Sequence, residues 1–223
     1  MKLIALVPVR AGSKGLPGKN LRPLAGVPLW RRAVNQGLAV GAEVIVSTDI
    51  PEILSHPPED GLRILPRPEA LAGDTVPMDP VIAHALRAVP GPATVVLLQA
   101  TSPLRRLRDI RAGLALHATG DWDLVMSVAP ADAGVLKWGR LEGGAFRPLG
   151  DPGHPFSNRQ SLPPVWRPDG AVYVFDADGW RARGTLACDR IGAVRVAPDS
   201  ALDIDTAADF ARAEAALAAR GGA

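Results

Sequence analysis

Short, unbroken apolar runs alternate with amphipathic stretches along this chain, and that rhythm predicts most of its elements. Leu3–Val9 is an uninterrupted apolar run, the pattern of a strand buried on both faces of a parallel sheet. Glu43–Thr48 (EVIVST), Ala93–Gln99 (ATVVLLQ), Asp123–Val128, Ala171–Phe175 and Ile191–Val196 repeat the theme, and Arg63–Leu65 adds a shorter candidate. Helical spacing occupies Pro28–Val40, where Pro28 suits a first turn, then Met78–Ala88, Arg105–His117 and an Ala-rich closing stretch over Thr206–Ala219. In the last of these, Phe210 and Leu217 lie on one stripe and read as packing. Alternation of strand and helix implies right-handed crossovers and a mostly parallel sheet. The expectation is a single three-layer α/β domain spanning residues 1–223.

The rhythm breaks after Pro130. Val135–Leu149 holds two short segments around Glu142-Gly143-Gly144, a hairpin signal, and Asp151–Pro168 is a long polar, Pro-rich loop. Residues 131–170 therefore read as a small hairpin-and-loop insertion, suited to an oligomer contact. Composition narrows the class further. A chain of 223 residues buries roughly 70% of its unfolded surface and needs no staples. Gly (23) and Pro (22) are more abundant than usual, but they fall between apolar segments, which argues against disorder. A lone Cys188 excludes an internal disulfide and any cysteine-based zinc site, and its bland reading is a small core residue. The four histidines (His56, His84, His117, His154) lack metal-like spacing and read as surface or loop residues. A net charge of +2 is too small for a nucleic-acid footprint. No apolar run approaches the roughly 20 residues of a membrane span. The apolar N-terminus is shorter than a signal peptide and lacks its cleavage site. The expected setting is soluble and cytoplasmic.

Most of the chemistry is concentrated in the first βα turn, Arg10-Ala-Gly-Ser-Lys-Gly-Leu-Pro-Gly-Lys-Asn20. Two of the chain's four lysines, Lys14 and Lys19, fall here with Arg10, beside glycines at 12, 15 and 18. Glycine lets backbone amides approach a ligand closely, and ligands of open α/β sheets bind at the carboxyl ends of the strands. Amides plus cations at that place point to a polyphosphate. The spacing is not a Walker A loop, since five residues separate Gly12 from Gly18 and Asn20 follows Lys19. Nor is it the Gly-x-Gly-x-x-Gly dinucleotide fingerprint. The alternative is a solvated basic loop with turn glycines.

Near the other end, Asp203-Ile204-Asp205 puts two carboxylates at i and i+2. In an extended segment both face one side while Ile204 faces the core. A carboxylate pair beside a polyphosphate suits Mg²⁺, a hard cation that wants oxygen ligands. A second role is open for Asp205, as the cap of the closing helix. Gln99 is polar at the end of a central strand, where a substrate sits, while Ser102-Pro103 can simply start the next helix.

Val7–Asn20 (VPVRAGSKGLPGKN) resembles the opening loop of the cytidylyltransferases that activate acidic sugars, notably the CMP-N-acylneuraminate (CMP-sialic acid) synthetases. Further matches follow in order: Arg67-Pro-x-x-Leu-Ala72, Leu97-Leu-Gln-Ala-Thr-Ser-Pro-Leu-Arg105, Asn158-Arg-Gln-x-Leu-Pro163, Arg167-Pro-Asp-Gly-Ala-Val-Tyr173 and Asp203-Ile-Asp-Thr206. The resemblance implies a Rossmann-like nucleotide-binding sheet and transfer of CMP from CTP to an acidic 2-keto-3-deoxy sugar. It implies catalytic roles for Arg10, Lys19 and Asp205, and nucleotide binding by Ala11, Gly12, Ser13, Asn20 and Arg67, with Arg67 on the cytosine. Gln99, Lys137, Arg159 and Tyr173 go to the sugar, with Mg²⁺ on Asp203 and Asp205, in a homodimer formed through the region matching the insertion. Lys137 carries a bland alternative, a solvated hairpin lysine.

One departure stands out: the family's Asn-Gly is Asp169-Gly170 here, so an acceptor-only carboxylate replaces an amide. Near phosphates it would repel unless a cation compensates, and Arg167 is the nearest candidate in sequence. Kdo, legionaminic acid, pseudaminic acid or a phosphonate would serve the same reaction. Two other classes stay open on the sequence: a metal-dependent nucleotide-sugar glycosyltransferase with an Asp-x-Asp pair, and a non-catalytic nucleotide sensor.

Overall fold

A computed structural model describes residues 1–221. In chain order the elements are β1 (Lys2–Val9), a two-residue-per-arm hairpin β2 (Pro23–Leu24) and β3 (Val27–Pro28), α1 (Leu29–Ala39), β4 (Glu43–Thr48), α2 (Pro51–Leu54), β5 (Leu62–Pro66), α3 (Met78–Leu86), β6 (Ala93–Leu97), α4 (Leu107–His117), β7 (Leu124–Ala131), β8 (Gly139–Glu142), β9 (Ala145–Pro148), β10 (Val165–Asp176), α5 (Ala177–Arg183), β11 (Ile191–Arg195) and α6 (Ala207–Gly221). Seven strands form the main sheet in the order β11-β7-β10-β6-β1-β4-β5. All are parallel except β10, which runs antiparallel between β6 and β7.

The apolar run of β1 shows how the layers arise. With a side-chain period of two, Ala5, Val7 and Val9 face one core, and Ile4 and Leu6 face the other. The first core is closed by α1, α4 and α6 through Leu29, Val34, Ile110 and Phe210. The second is closed by α3 and α5 through Ile82, Leu86 and Trp180. Both faces of the strand are therefore dry, which is why it reads as continuous rather than alternating. Helix α1 lies very close on the sheet at Gly37, where an added Cβ would stand 2.8 Å from Ala5 Cβ and 2.9 Å from Val44 Cγ2. Gly37→Ala, ordinarily a gain of about 1 kcal/mol in a helix, is expected to cost a net ~1–2 kcal/mol here by overpacking. Urea unfolding read by circular dichroism checks the sign.

Several expectations shift. The loop over Asp151–Pro168 is not a loop to its end. Val165–Pro168 already belong to β10 and pair with Val128–Ala131 of β7, so the inserted arm is shorter than residues 131–170. Polar and proline residues disguised a strand whose first half is largely exposed. Helix α4 starts at Leu107 rather than Arg105, and Asp109 Oδ2 accepts from Arg106 N at 3.2 Å, so Ser102 does not cap it. His117 is buried rather than at the surface. Helix α5 went unpredicted, and so did the β2–β3 hairpin, which turns on Ala25 (φ 46°) and Gly26 (φ 79°). What remains of the insertion carries hairpin β8–β9 and exposes Trp138, Leu141, Phe146 and Phe156. No helix among the described residues is long and apolar enough to cross a membrane.

Candidate active site

The carboxyl ends of β1, β5 and β6 and the segment entering α6 surround a cleft of about 490 Å³. Its floor and walls include Arg10, Ser13, Lys19 and Asn20 from the first turn, Arg67 after β5, Gln99 after β6, and both Asp203 and Asp205. Eight residues singled out from sequence thus share one cavity, although they come from four separate stretches of chain.

Opposite ends of the chain touch inside it. Lys19 is buried, and its Nζ donates to Ile204 O at 2.5 Å and to Asp205 Oδ1 at 3.0 Å. The Cα of Gly15 rests against the Asp205 carbonyl so closely that no side chain fits between them. Asn20 fastens the loop onto itself, donating from Nδ2 to Arg10 O at 3.0 Å, and its carbonyl accepts from Trp30 N at 3.2 Å. Its buried Oδ1 has no protein partner.

The acid pair adopts the extended geometry read from its spacing. Ile204 is fully buried and its amide donates to Thr101 O at 2.8 Å, while the carboxylates on either side line the cleft. Asp205 does not cap α6. That work falls to Thr206 and Asp209, with Asp209 N to Thr206 Oγ1 at 3.2 Å and Thr206 N to Asp209 Oδ2 at 2.8 Å, a reciprocal capping box. Asp205 is left free for the cleft, with its side chain 73% exposed. Burial raises the Asp203 carboxyl above its ordinary range; a hydrogen bond from Thr101 opposes this and the charge of Asp205 adds to it. Two carboxylates plus a hydroxyl form a hard-oxygen donor set whose negative charge is only partly offset by Lys19, which fits a divalent cation shared with ligand phosphates. Among the described residues, no cluster of three or more His, Cys, Asp or Glu side chains offers a complete protein cage.

Arg67 is buried, and burial pushes its guanidinium down to about 10. Nε and Nη2 are held by Ser47 Oγ at 3.1 Å and Ser47 O at 2.7 Å, which fixes the plane of the group at the cleft wall. Asp74, which the sequence reading overlooked, bridges Arg10 Nη1 at 2.5 Å and Lys14 Nζ at 2.7 Å. Those cations, Lys14 first, hold its carboxyl below the ordinary range. An acid in the loop between two prolines was its only signal.

Other residues lie elsewhere. Ala11 and Gly12 stay on the exposed outside of the loop, and the Ala11 amide donates to Asp49 Oδ1 at 2.9 Å. Tyr173 sits on β10 opposite Leu97, half-buried, its hydroxyl pushed up by burial and then by Asp169 and Asp203. Lys137 and Arg159 are on the arm and do not line the cleft; Arg159 Nη2 pairs with Asp132 Oδ2 at 2.6 Å. Asp169 is buried, where it accepts from Ser127 Oγ and from Ala171 N at 3.1 Å. Its compensating charge is Arg105, not Arg167, which instead donates to Ala201 O at 3.3 Å.

Fold and cleft together define an α/β protein of the nucleotide-binding kind, with a cationic cradle facing an acidic pair at the carboxyl edge of its sheet. The chain belongs to the cytidylyltransferase family, whose model matches residues 4–132. It is 30% identical over 217 residues to an N-acylneuraminate cytidylyltransferase of Streptococcus agalactiae serotype V, covering 94% of this chain and 52% of that protein. Over 138 residues it is 37% identical to the CMP-N,N'-diacetyllegionaminic acid synthase of Legionella pneumophila, covering 58% of this chain and 59% of that one. The chain spans about half the length of the N-acylneuraminate relatives it matches. A solved CMP:2-keto-3-deoxy-manno-octonic acid synthetase complexed with CTP superposes with a TM-score of 0.69 at 18% identity, covering 99% and 100% of the two chains, and so shares the fold.

Proposed function

We propose that this protein transfers CMP from CTP to an acidic 2-keto-3-deoxy sugar of the nonulosonic type, releasing pyrophosphate. The observation that carries this reading is the contact of Lys19 with Ile204 and Asp205, which joins a cationic phosphate cradle to an acid pair within one cleft. The names of the relatives point to the same reaction class and to sialic or legionaminic acids as acceptors.

In this reading the anomeric hydroxyl oxygen of the sugar attacks the α-phosphorus. A P–O bond forms, the bond to the β-phosphate oxygen breaks, pyrophosphate leaves, and the hydroxyl proton passes to solvent. Arg10, Ser13, Lys19 and Asn20 hold the triphosphate and ribose, and Arg67 presents a fixed fork of donors to the base. The buried Lys19 ammonium stabilises charge that grows on the bridging oxygen, where a low local dielectric strengthens it. Gln99 orients the acceptor beside the α-phosphate. Asp203 and Asp205 would hold Mg²⁺, which neutralises phosphate charge when bound. Catalysis is then mostly positioning and electrostatics.

Lys137 and Arg159 lie on an arm whose aromatic residues are exposed, and Tyr173 lies on β10 opposite Leu97, packed against the second core and outside the cleft lining. The arm packs against a second copy in a cytoplasmic homodimer, and sedimentation velocity reads that state directly. Coupled pyrophosphate release with CTP and Mg²⁺ across nonulosonic and octulosonic acids, with mass spectrometry of the product, tests the reaction. A CMP-sugar is expected with at least one nonulosonic acid. Absence of pyrophosphate with every acid would sink the reading.

Asp74 is a counter-ion that the triphosphate must displace from Arg10 and Lys14. Both pairs are partly exposed and screened by solvent, so each contributes little. Asp74→Asn is expected to lower KM for CTP by roughly two- to fivefold with little change in kcat. A raised KM would instead mark Asp74 as an organiser of the cradle.

A further inference from the structure

Against Gln99 lie two buried charged side chains, Arg105 and Asp169, which are not in direct contact with each other and for which the proposed reaction has no role so far. Arg105 is 4% exposed and its guanidinium sits at the junction of three segments of chain. Its Nη1 donates to Ala171 O at 2.5 Å and to Gln99 O at 3.2 Å, and its Nε donates to Gln36 Oε1 at 3.0 Å. Gln36 returns a bond from Nε2 to Arg105 O at 2.7 Å, so the arginine is gripped at both ends. Burial lowers the guanidinium to about 10, and the charges of Asp169 and then Asp109 oppose that shift.

Asp169 is 4% exposed. Its Oδ1 accepts from Ser127 Oγ and Ala171 N, while its buried Oδ2 has no protein partner. Next in the chain is Gly170 at φ +77°, a left-handed position, and a Cβ there would stand 3.3 Å from Gln99 Oε1. The backbone of residues 169–171 is thus held on one side of Gln99 by Arg105, and its glycine makes the room that the Gln99 amide occupies.

Opposite charges buried near each other are weak contributors to stability, because desolvation offsets their attraction. Ordinary packing would hold this junction without a charge. What Arg105 supplies is geometry: a planar group with donors in fixed directions locks two carbonyls from different segments at set positions. One of those carbonyls belongs to Gln99, whose side chain enters the cleft. We infer that Arg105, charge-balanced by Asp169, is a positioning residue for the acceptor half of the cleft, setting Gln99 without touching substrate. The triphosphate half is built on Arg10, Lys19 and Asp205, which the pair does not contact. The inference rests on the proposed reaction, and predicts an effect confined to the acceptor.

Arg105→Met and the double variant Arg105→Met/Asp169→Asn test it, with steady-state kinetics for both substrates, calorimetric CTP binding and thermal unfolding. The single variant leaves Asp169 as an uncompensated buried charge and is expected to lose thermal stability. The double variant removes that charge and is expected to regain most of the stability. In both, KM for the acid sugar is expected to rise about tenfold or more, while CTP affinity stays within about threefold of wild type. Recovery of the acceptor KM together with stability in the double variant would overturn the inference, because the pair would then be purely structural. Equal losses for CTP and acceptor would overturn it as well. Should the single variant not fold, Gln36→Ala, which loosens only one end of Arg105, is expected to raise the acceptor KM selectively; equal acceptor and CTP parameters to wild type there would count against the inference. If wild type itself neither binds CTP nor releases pyrophosphate, it is the proposed reaction that fails.

Discussion

Substituting methionine for Lys19 is expected to slow CTP-dependent pyrophosphate release about 10²–10³-fold, the usual loss when one preorganised electrostatic group is removed. Methionine keeps the length and apolar stem of lysine but carries no charge. Lys19 is the most deeply buried cation in the cradle apart from its own contacts with Ile204 O and Asp205, and water cannot readily take its place. Lys14 shows the contrast. Its ammonium is 85% exposed and held only by Asp74, so the same change there is cushioned by solvent. The loss at Lys19 should appear in kcat more than in KM, since the interaction grows as charge moves to the leaving group. Unchanged far-ultraviolet circular dichroism would show that the fold persists. A K19M protein within threefold of wild-type turnover would remove Lys19 from the chemistry and leave the contact as a structural clasp.

That clasp also explains how much of this protein can be read from its sequence. Local signals were sufficient wherever a residue's environment is set by its neighbours in the chain. The dry run Leu3–Val9 demands two cores, and the structure supplies them. The spacing of Asp203 and Asp205 demands a shared face, with Ile204 turned away, and the backbone delivers it. Thr206-x-x-Asp209 is a capping-box spacing, and reading it would have released Asp205 from the capping role at once. Legibility fails where a partner is remote. Arg105 is tied to Gln36 and Ala171, 69 and 66 residues away, and nothing local marks it as buried. Asp169 looked like a repulsive charge beside phosphate because its neutralising arginine is distant in sequence. The antiparallel direction of β10 was equally hidden, because Ala171–Phe175 has the same apolar pattern whichever way the strand runs. Composition offered no guide to Lys137 and Arg159 either. They lie on an arm and do not line the cleft, which nothing in their local sequence marks.

Gly15→Ala removes no functional group, yet the geometry makes it a test of the same junction. An ideal Cβ at position 15 would collide with the carbonyl of Asp205, a backbone atom that cannot swing aside as a side chain would. Either the cradle or the acid segment must retreat by a large fraction of an ångström. Ile204 is anchored in the core and bonded to Thr101 O, and α6 is fixed by its capping box, so the loop is the part that yields. Displacing it lengthens the distances from Lys19 to Ile204 O and Asp205 Oδ1 together. A misplacement of about 1 Å costs on the order of 10²-fold in rate when catalysis depends on positioning. The expected result is turnover about 10²-fold below wild type, with a melting temperature lower by only a few degrees, since the loop is largely exposed. Gly12→Ala is the matched comparison: its nearest neighbour is the flexible Arg10 Nη1 at 3.9 Å, so the same methyl enters open space. Equal activity in the two variants would mean that close approach of the two chain ends is not what the reaction requires.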